Sequence, residues 1–336
     1  MKEPVSRRRF LKSALSAGVV AAGSSFDFRG LENNGLQDEV KSQYDPKGLP
    51  TAVLGKTGVV IPRIAIGLGS RFLNIKTLDE ALEMCNYALD NGLYYWDTAH
   101  SYVNTETGAV SEERLGHIIK SRRNEIFLST KIASREPGKA KAEIEESLKR
   151  LQTDHVDMLK IHAVETEEEA AGICRKGGVL DVFSKCKEEG ITRFVGFSGH
   201  GNASALRAMI DTGRFDSMLF AMNHYTTGQD RQGTLIPAAK AKGMGIMLMK
   251  TVRPKETIQG INPDDLVRYA LSLDGPSGLA VGMDSKKVVD SNLKILRNFH
   301  PMDKAEMQKF AMKLTPFFHH ENLEWMNPGY KDGLMA

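Results

Sequence analysis

Cysteine is scarce in this 336-residue chain. Cys85, Cys174 and Cys186 form an odd set without a C-x-x-C pair, which excludes a disulfide framework and a zinc ribbon. Long apolar runs are missing too. The best candidate, SALSAGVVAAGSSF at residues 13–26, falls short of the roughly 20 residues that span a bilayer comfortably. Charge of one sign is not massed over the body of the chain. The formal net charge is +3, and residues 1–25 alone hold Lys2, Arg7, Arg8, Arg9 and Lys12 against Glu3, leaving the rest near neutrality. That excludes an extended nucleic-acid surface. What is present is an ordinary globular composition, 41% hydrophobic and 26% charged, with apolar material for a substantial core.

The basic residues gather into an address. SRRRFLK at Ser6–Lys12 precedes the short apolar stretch and then a polar one, the layout of an export signal. Adjacent arginines followed by Phe10, Leu11 and Lys12 resemble the bacterial twin-arginine signal. The expectation is a signal peptide over residues 1–26, recognised by the twin-arginine translocation machinery and directing the protein to the periplasm. Without a clean A-x-A site, an uncleaved membrane anchor is the alternative; a plain basic tail is the third reading. Residues 27–49 are polar and aperiodic and read as a linker.

From Leu54 onward short β-type runs alternate with 3.6-period stretches, the mark of parallel strands joined by crossover helices. Strands are expected at Arg63–Gly67, Leu93–Trp96, Ile126–Thr130, Val156–Ile161, Arg193–Phe197, Ser217–Phe220, Gly245–Met249 and Gly278–Val281. Helices follow near Thr77, Ser111, Lys139, Val179, Asn202, Gly233, Asp264 and Lys286. Eight such units fit an α/β fold of the closed (β/α)8 TIM-barrel type, over residues 50–300, better than an open doubly wound sheet. VLGKTGVVIP at Val53–Pro62 places a turn between apolar runs, so an N-terminal β-hairpin is expected under the barrel. Residues 301–336 form a C-terminal tail extension. With Phe317, Phe318, Trp325 and Tyr330 the tail is aromatic enough to pack on the barrel.

Function in such barrels sits at the carboxyl ends of the strands. The loop within GLYYWDTAHSYVNTETGAVSEERLG, at Gly92–Gly116, supplies Asp97, His100 and Tyr102; the next strands end in Lys131, His162, then Ser198 and His200. A buried lysine is costly unless paired, and Asp97 lies on the neighbouring strand. A tyrosine beside that lysine is expected to have a lowered pKa, because the ammonium favours the phenolate. Such a hydroxyl can act as general acid toward a carbonyl oxygen, with His162 donating to the same oxygen.

These segments resemble the aldo–keto reductases over nearly all of residues 50–300. The resemblance rests on LGKTGVVIPRIAIGLG, DTAHSY with SEERLG, STK, DMLKIHA, KEEGITRFVGFSGH and VGMDSKKVVDSNL, in that order and spacing. It implies a catalytic tetrad of Asp97, Tyr102, Lys131 and His162, with Tyr102 as proton donor and hydride arriving from a reduced nicotinamide. It also implies a cofactor site without a Gly-rich Rossmann turn, and no convincing G-x-G-x-x-G follows the first strand. By the same resemblance, Ser198, Gly199, Leu219, Lys250, Thr251, Gly282, Ser285, Lys286 and Asn292 fall at cofactor-binding positions. Gly199 stands where relatives often have Asn, Leu219 where Gln is usual, and Lys250 where many stack an aromatic ring. Val288 replaces an Arg that often grips the 2′-phosphate, with Lys286 or Lys287 as substitutes. The expected cofactor is NADP(H), with NAD(H) as the alternative, and the expected substrate is a small-molecule carbonyl or alcohol, sugars included.

Two other readings stand beside this one. His100, His162, His200 and His224 all follow strands, which would suit a metal-dependent hydrolase; against it, Lys131 brings positive charge to the place a cation would take. A non-catalytic nucleotide-binding barrel is the third, suggested by the departures at Gly199 and Leu219. The pair His319–His320 reads as a surface feature. A nicotinamide enzyme outside the cytoplasm lacks a free pool of reduced cofactor, which points to a nucleotide loaded before export and recycled in place.

Overall fold

A computed structural model describes residues 43–222, 231–252 and 260–315, with residues 325, 330 and 332. The expected signal, His224, Phe317, Phe318 and the His319–His320 pair lie outside the described residues.

Each of the eight apolar runs becomes a parallel strand, with bounds within two residues of those expected. They are β3 (Ile64–Gly67), β4 (Tyr95–Asp97), β5 (Phe127–Ile132), β6 (Val156–Ile161), β7 (Thr192–Gly199), β8 (Ser217–Ala221), β9 (Gly245–Met249) and β10 (Gly278–Gly282). They close in the order β10-β3-β4-β5-β6-β7-β8-β9, each parallel to its neighbours. Every residue of β5 and β6 is buried, as strands covered by helices outside and packed side chains inside must be. Polar residues mark the helix starts. Thr77 and Glu80 form a reciprocal capping box ahead of the helix Leu78–Asp90, satisfying donors that a helix start leaves unpaired.

The hairpin is present and closes one end of the barrel. Its strands β1 (Thr51–Val53) and β2 (Val60–Pro62) pair antiparallel. Leu54, fully buried, reaches the start of β9, where a Cβ on Gly245 would stand 2.6 Å from the Leu54 side chain. Lys56 N donates to Gly243 O at 2.6 Å. The hairpin packs at the amino-terminal end of the strands, opposite the carboxyl end where such barrels place their chemistry.

Residues 43–49, assigned to the linker by sequence, pack on the barrel. Tyr44 stacks on Tyr94 with ring centroids 4.9 Å apart and donates to Asp157 Oδ1 at 3.0 Å. Asp157, near the start of β6, also accepts from Arg123 at 2.8 Å, Arg193 at 2.8 Å and Leu128 N at 2.9 Å. These bonds meet the requirement that a buried charge be paired and hydrogen-bonded. The acidic run beginning at Glu165 starts a helix, Glu167–Cys174, capped by Thr166 and Glu169. In the tail a helix spans Lys304–Leu314, and its Phe310 lies 5.8 Å from the ring of Tyr269. Trp325 is buried.

Candidate active site

The loop after β4 is held by the elements it crosses. Thr98 N donates to Ser129 O at 2.9 Å, and His100 N to Lys131 O at 3.0 Å, continuing the β4–β5 ladder past its end. Ser111, first residue of the helix Ser111–Arg122, lies 2.8 Å from Thr98 Oγ1, donates to Leu68 O at 2.8 Å and donates its N–H to Tyr102 O at 3.0 Å. Glu112, fully buried, accepts from Thr130 Oγ1 at 2.6 Å. A Cβ on Gly116 would stand 2.3 Å from Arg150 O. SEERLG is therefore the anchor of the tyrosine loop.

Above the barrel four of the expected residues meet. Lys131 Nζ is 2.7 Å from Asp97 Oδ2 and donates to Tyr102 OH at 3.0 Å and Thr98 O at 2.8 Å. The Tyr102 and His162 rings are 5.6 Å apart, edge to face. Arg135 fixes the histidine backbone by donating to His162 O at 2.7 Å and Ala163 O at 2.8 Å, where Ala163 adopts a left-handed φ of 51°.

Three residues join them that sequence alone did not assign to the tetrad site. Lys160 Nζ bonds the other Asp97 oxygen at 2.5 Å, and donates to Tyr95 OH at 3.1 Å. Its signal was present: Lys160 shares strand parity with His162, two residues on, so both face inward. A Cβ on Gly196 would stand 3.3 Å from the Lys160 stem, so the glycine in FVGFSGH leaves room for it. Asp332, from the tail, accepts from Tyr102 OH at 2.7 Å and lies 3.2 Å from His162 Nε2 through the same Oδ2. Tyr330 donates to Asp332 Oδ1 at 3.1 Å. No sequence pattern links residues 230 and 170 positions apart.

The electrostatics follow from this packing. Burial works against the Asp97 carboxylate, but Lys131 and Lys160 outweigh it and its pKa is lowered. Burial lowers the Lys131 pKa, with Asp97 opposing. Tyr102 departs from expectation. Burial, then the Asp332 and Asp97 carboxylates, raise its pKa well above the usual value, so the hydroxyl keeps its proton. His162 is lowered by burial despite Asp332 and is neutral near pH 7. Its Nε2 faces a carboxylate that can only accept, so Nε2 carries the proton and Nδ1 accepts from Ser101 Oγ at 3.1 Å.

A cleft of about 660 Å3 opens beside this cluster, lined among others by Gly67, Tyr102, Leu219, Lys250, Thr251 and Gly282. Asn292 and Lys287 line it as well. A nicotinamide dinucleotide fits the donor set on one observation: Thr251 Oγ1 is buried without a hydrogen-bond partner, a cost a ligand acceptor would relieve. The other expected positions lie elsewhere. Ser198 Oγ accepts from Ala163 N at 3.0 Å, and Ser285 caps the helix Lys286–Arg297. Lys286 bonds Glu83 and leaves the cleft to Lys287. Gly199 is set by packing, since a Cβ there would meet Leu206 Cδ2 at 2.4 Å.

The described histidines do not assemble a metal centre. His100 turns to Glu146 at 3.0 Å, and no group of three or more His, Cys, Asp or Glu with metal-binding placement occurs among the described residues. Lys131, Lys160 and Lys250 add positive charge around His162.

A sequence profile of the Aldo/keto reductase family matches residues 64–254. L-galactose dehydrogenase of Arabidopsis thaliana is 28% identical over 208 residues, 58% of this chain and 62% of that protein. Dihydrodiol dehydrogenase 3 of Bos taurus is 30% identical over 179 residues, 46% of this chain and 51% of that protein. The chain thus spans about half to three fifths of the length of these relatives. Among solved structures, the holo form of an aldo-keto reductase from Bacillus halodurans has a TM-score of 0.66 at 19% identity, over 81% of this chain and 97% of that one. An aldo-keto reductase from Klebsiella pneumoniae in complex with NADPH has a TM-score of 0.62 at 19% identity, over 86% and 99%. At those identities the likeness is one of fold.

Proposed function

The chain belongs to the aldo/keto reductase family, and from that premise we propose that it interconverts a small-molecule carbonyl and its alcohol using NADP(H), with Tyr102 as general acid and base. One observation carries the reading: the hydroxyl of Tyr102 and the Nε2 of His162 converge on one oxygen, that of Asp332, at 2.7 and 3.2 Å. Two donors on a single oxygen are what a carbonyl gaining negative charge requires.

Leu219, Thr251, Gly282, Lys287 and Asn292 would hold the nucleotide along the cleft they line. Bound there, a reduced nicotinamide supplies the hydride. Lys287 supports NADP(H) over NAD(H), as a cation for the 2′-phosphate. The protein's own work is on the oxygen. Tyr102 gives its proton to the developing alkoxide, and Lys131, 3.0 Å away, stabilises the phenolate left behind. Asp97 favours the charged form of that ammonium, against burial and the neighbouring Lys160, and holds it in place. His162, neutral, donates without competing for the proton. In alcohol oxidation the same groups run in reverse.

The test is Tyr102→Phe, assayed by the loss of reduced-nicotinamide absorbance with 4-nitrobenzaldehyde. The expected fall in kcat is about 10²- to 10⁴-fold, with NADPH affinity retained. Wild-type rates in the variant would end the reading. Residues 1–26 are proposed to export the folded protein through the twin-arginine machinery to the periplasm, supported by SRRRFLK alone. Replacing Arg7 and Arg8 by lysine should leave the protein in the cytoplasmic fraction; unchanged fractionation rejects the address.

A further inference from the structure

Asp332 does not simply cap the site; it shows what the site holds. One carboxylate oxygen takes the place between Tyr102 and His162. The other, Oδ1, is 2.8 Å from Lys250 Nζ and 3.5 Å from His200 Nε2. Both of these partners are built for an anion independently of Asp332. Lys250 adopts φ of 62°, a left-handed conformation that costs a non-glycine residue roughly 1 kcal/mol or more and gathers at functional sites. His200 is buried, and its Nδ1 is held by Glu165 Oε1 at 3.2 Å. That fixes Nε2 toward the site, where it makes no hydrogen bond. Lys131, Lys160 and Lys250 bring three buried ammonium groups to the mouth, the first two on Asp97 and the third on Asp332. Such a cluster favours an anion strongly.

We propose that Lys250 and His200 form a carboxylate subsite beside the Tyr102–His162 pair, that Asp332 fills it as an internal ligand, and that the substrate is a 2-oxo acid or 2-hydroxy acid which displaces Asp332. The spacing supports a carboxylate on the carbon next to the carbonyl. Asp332 spans the two donor pairs with two oxygens on one carbon, and a 2-oxo acid does so with the ketone oxygen toward Tyr102 and a carboxylate oxygen toward Lys250. In the reduction the carbonyl carbon gains the hydride and its two electrons from the reduced nicotinamide, and the oxygen gains the Tyr102 proton. The product is the 2-hydroxy acid and oxidised nucleotide. Lys250 and His200 are specificity-determining residues here, and Asp332 competes with the substrate. The substrate half of the inference rests on the proposed function; the subsite does not.

The experiment uses the full chain and two readouts. Acetate and pyruvate are titrated by calorimetry, without nucleotide, into wild type, Asp332→Ala, Asp332→Asn and Asp332→Ala/Lys250→Met. Asp332→Ala should bind both at least about tenfold more tightly than wild type, a difference of ~1.4 kcal/mol. Lys250→Met should abolish the gain. Asp332→Asn, which keeps the shape, should fall between wild type and Asp332→Ala. Equal binding in wild type and Asp332→Ala, or a gain that survives Lys250→Met, overturns the subsite. In turnover with NADPH, pyruvate should exceed acetone in kcat/KM for Asp332→Ala by about tenfold or more, and Lys250→Met should erase that preference. If 4-nitrobenzaldehyde is reduced but pyruvate is not preferred, the substrate class is wrong and the oxidoreductase stands. If carboxylates bind as expected and no carbonyl is reduced, the proposed function fails and the subsite stands.

Discussion

Asp97→Asn isolates the electrostatic core of the site. Among the described residues Asp97 is the one carboxylate within bonding distance of both Lys131 and Lys160, at 2.7 and 2.5 Å, and all three side chains are almost fully buried. The amide keeps the shape but removes the charge, leaving two buried ammonium groups facing a carbonyl and two phenols. Breaking a buried pair in this way costs about 3–5 kcal/mol. The cost has a ceiling, because an unpaired lysine escapes by losing its proton. For an amine with an unfolded pKa of about 10.4, that escape costs about 5 kcal/mol at pH 7 and about 2 kcal/mol at pH 9. Lys131, already lowered by burial, is the group expected to yield. Its folded pKa drops further below the unfolded value, so the unfolded chain binds more protons and stability rises with pH. Urea unfolding at pH 7 and pH 9 should therefore show a deficit of about 3–5 kcal/mol that shrinks to about 2 kcal/mol. Adding Lys160→Met should recover part of the pH 7 loss. A deficit equal at both pH values would mean that packing, and not unpaired charge, was lost.

Thr251→Val removes a buried hydroxyl that has no partner. The urea midpoint without nucleotide should hold or rise, while NADPH binding by fluorescence titration weakens about 3- to 10-fold, the worth of one hydrogen bond; unchanged affinity would place the nucleotide elsewhere. Asp157→Ala, at the hairpin end, removes an acceptor shared by Arg123, Arg193, Tyr44 and Leu128 N. It should cost about 3–5 kcal/mol in urea unfolding with kcat unchanged under native conditions, separating the stabilising end of the barrel from the reacting one.

Much of this architecture is local information, and the chain carries local information openly. Eight β-type runs with helical stretches between them specify the barrel because strand parity and helix period are set within a few residues. Asp97, Tyr102, Lys131 and His162 were legible for the same reason: each lies at or just past a strand end, and the barrel places those ends together. Lys160 was half legible, since parity with His162 turns it inward, but its bond to Asp97 joins residues 63 positions apart. The choice between Lys286 and Lys287 needed the helix phase, since neighbours on a helix point about 100° apart. Gly199 reads as a missing polar group in sequence and as a close approach to Leu206 in three dimensions.

Asp332 marks the limit. Sequence supplies an aspartate in a tail with no periodicity, while its placement depends on a fold that brings Tyr102, His162, His200 and Lys250 to one point from four different strand ends. Burial, and after it this carboxylate, reverses the expected shift of Tyr102. A pKa depends on every charge within a few ångströms whatever its distance along the chain. The sequence determined which groups stand at the mouth of the barrel. Only the tertiary structure decided which charge they face.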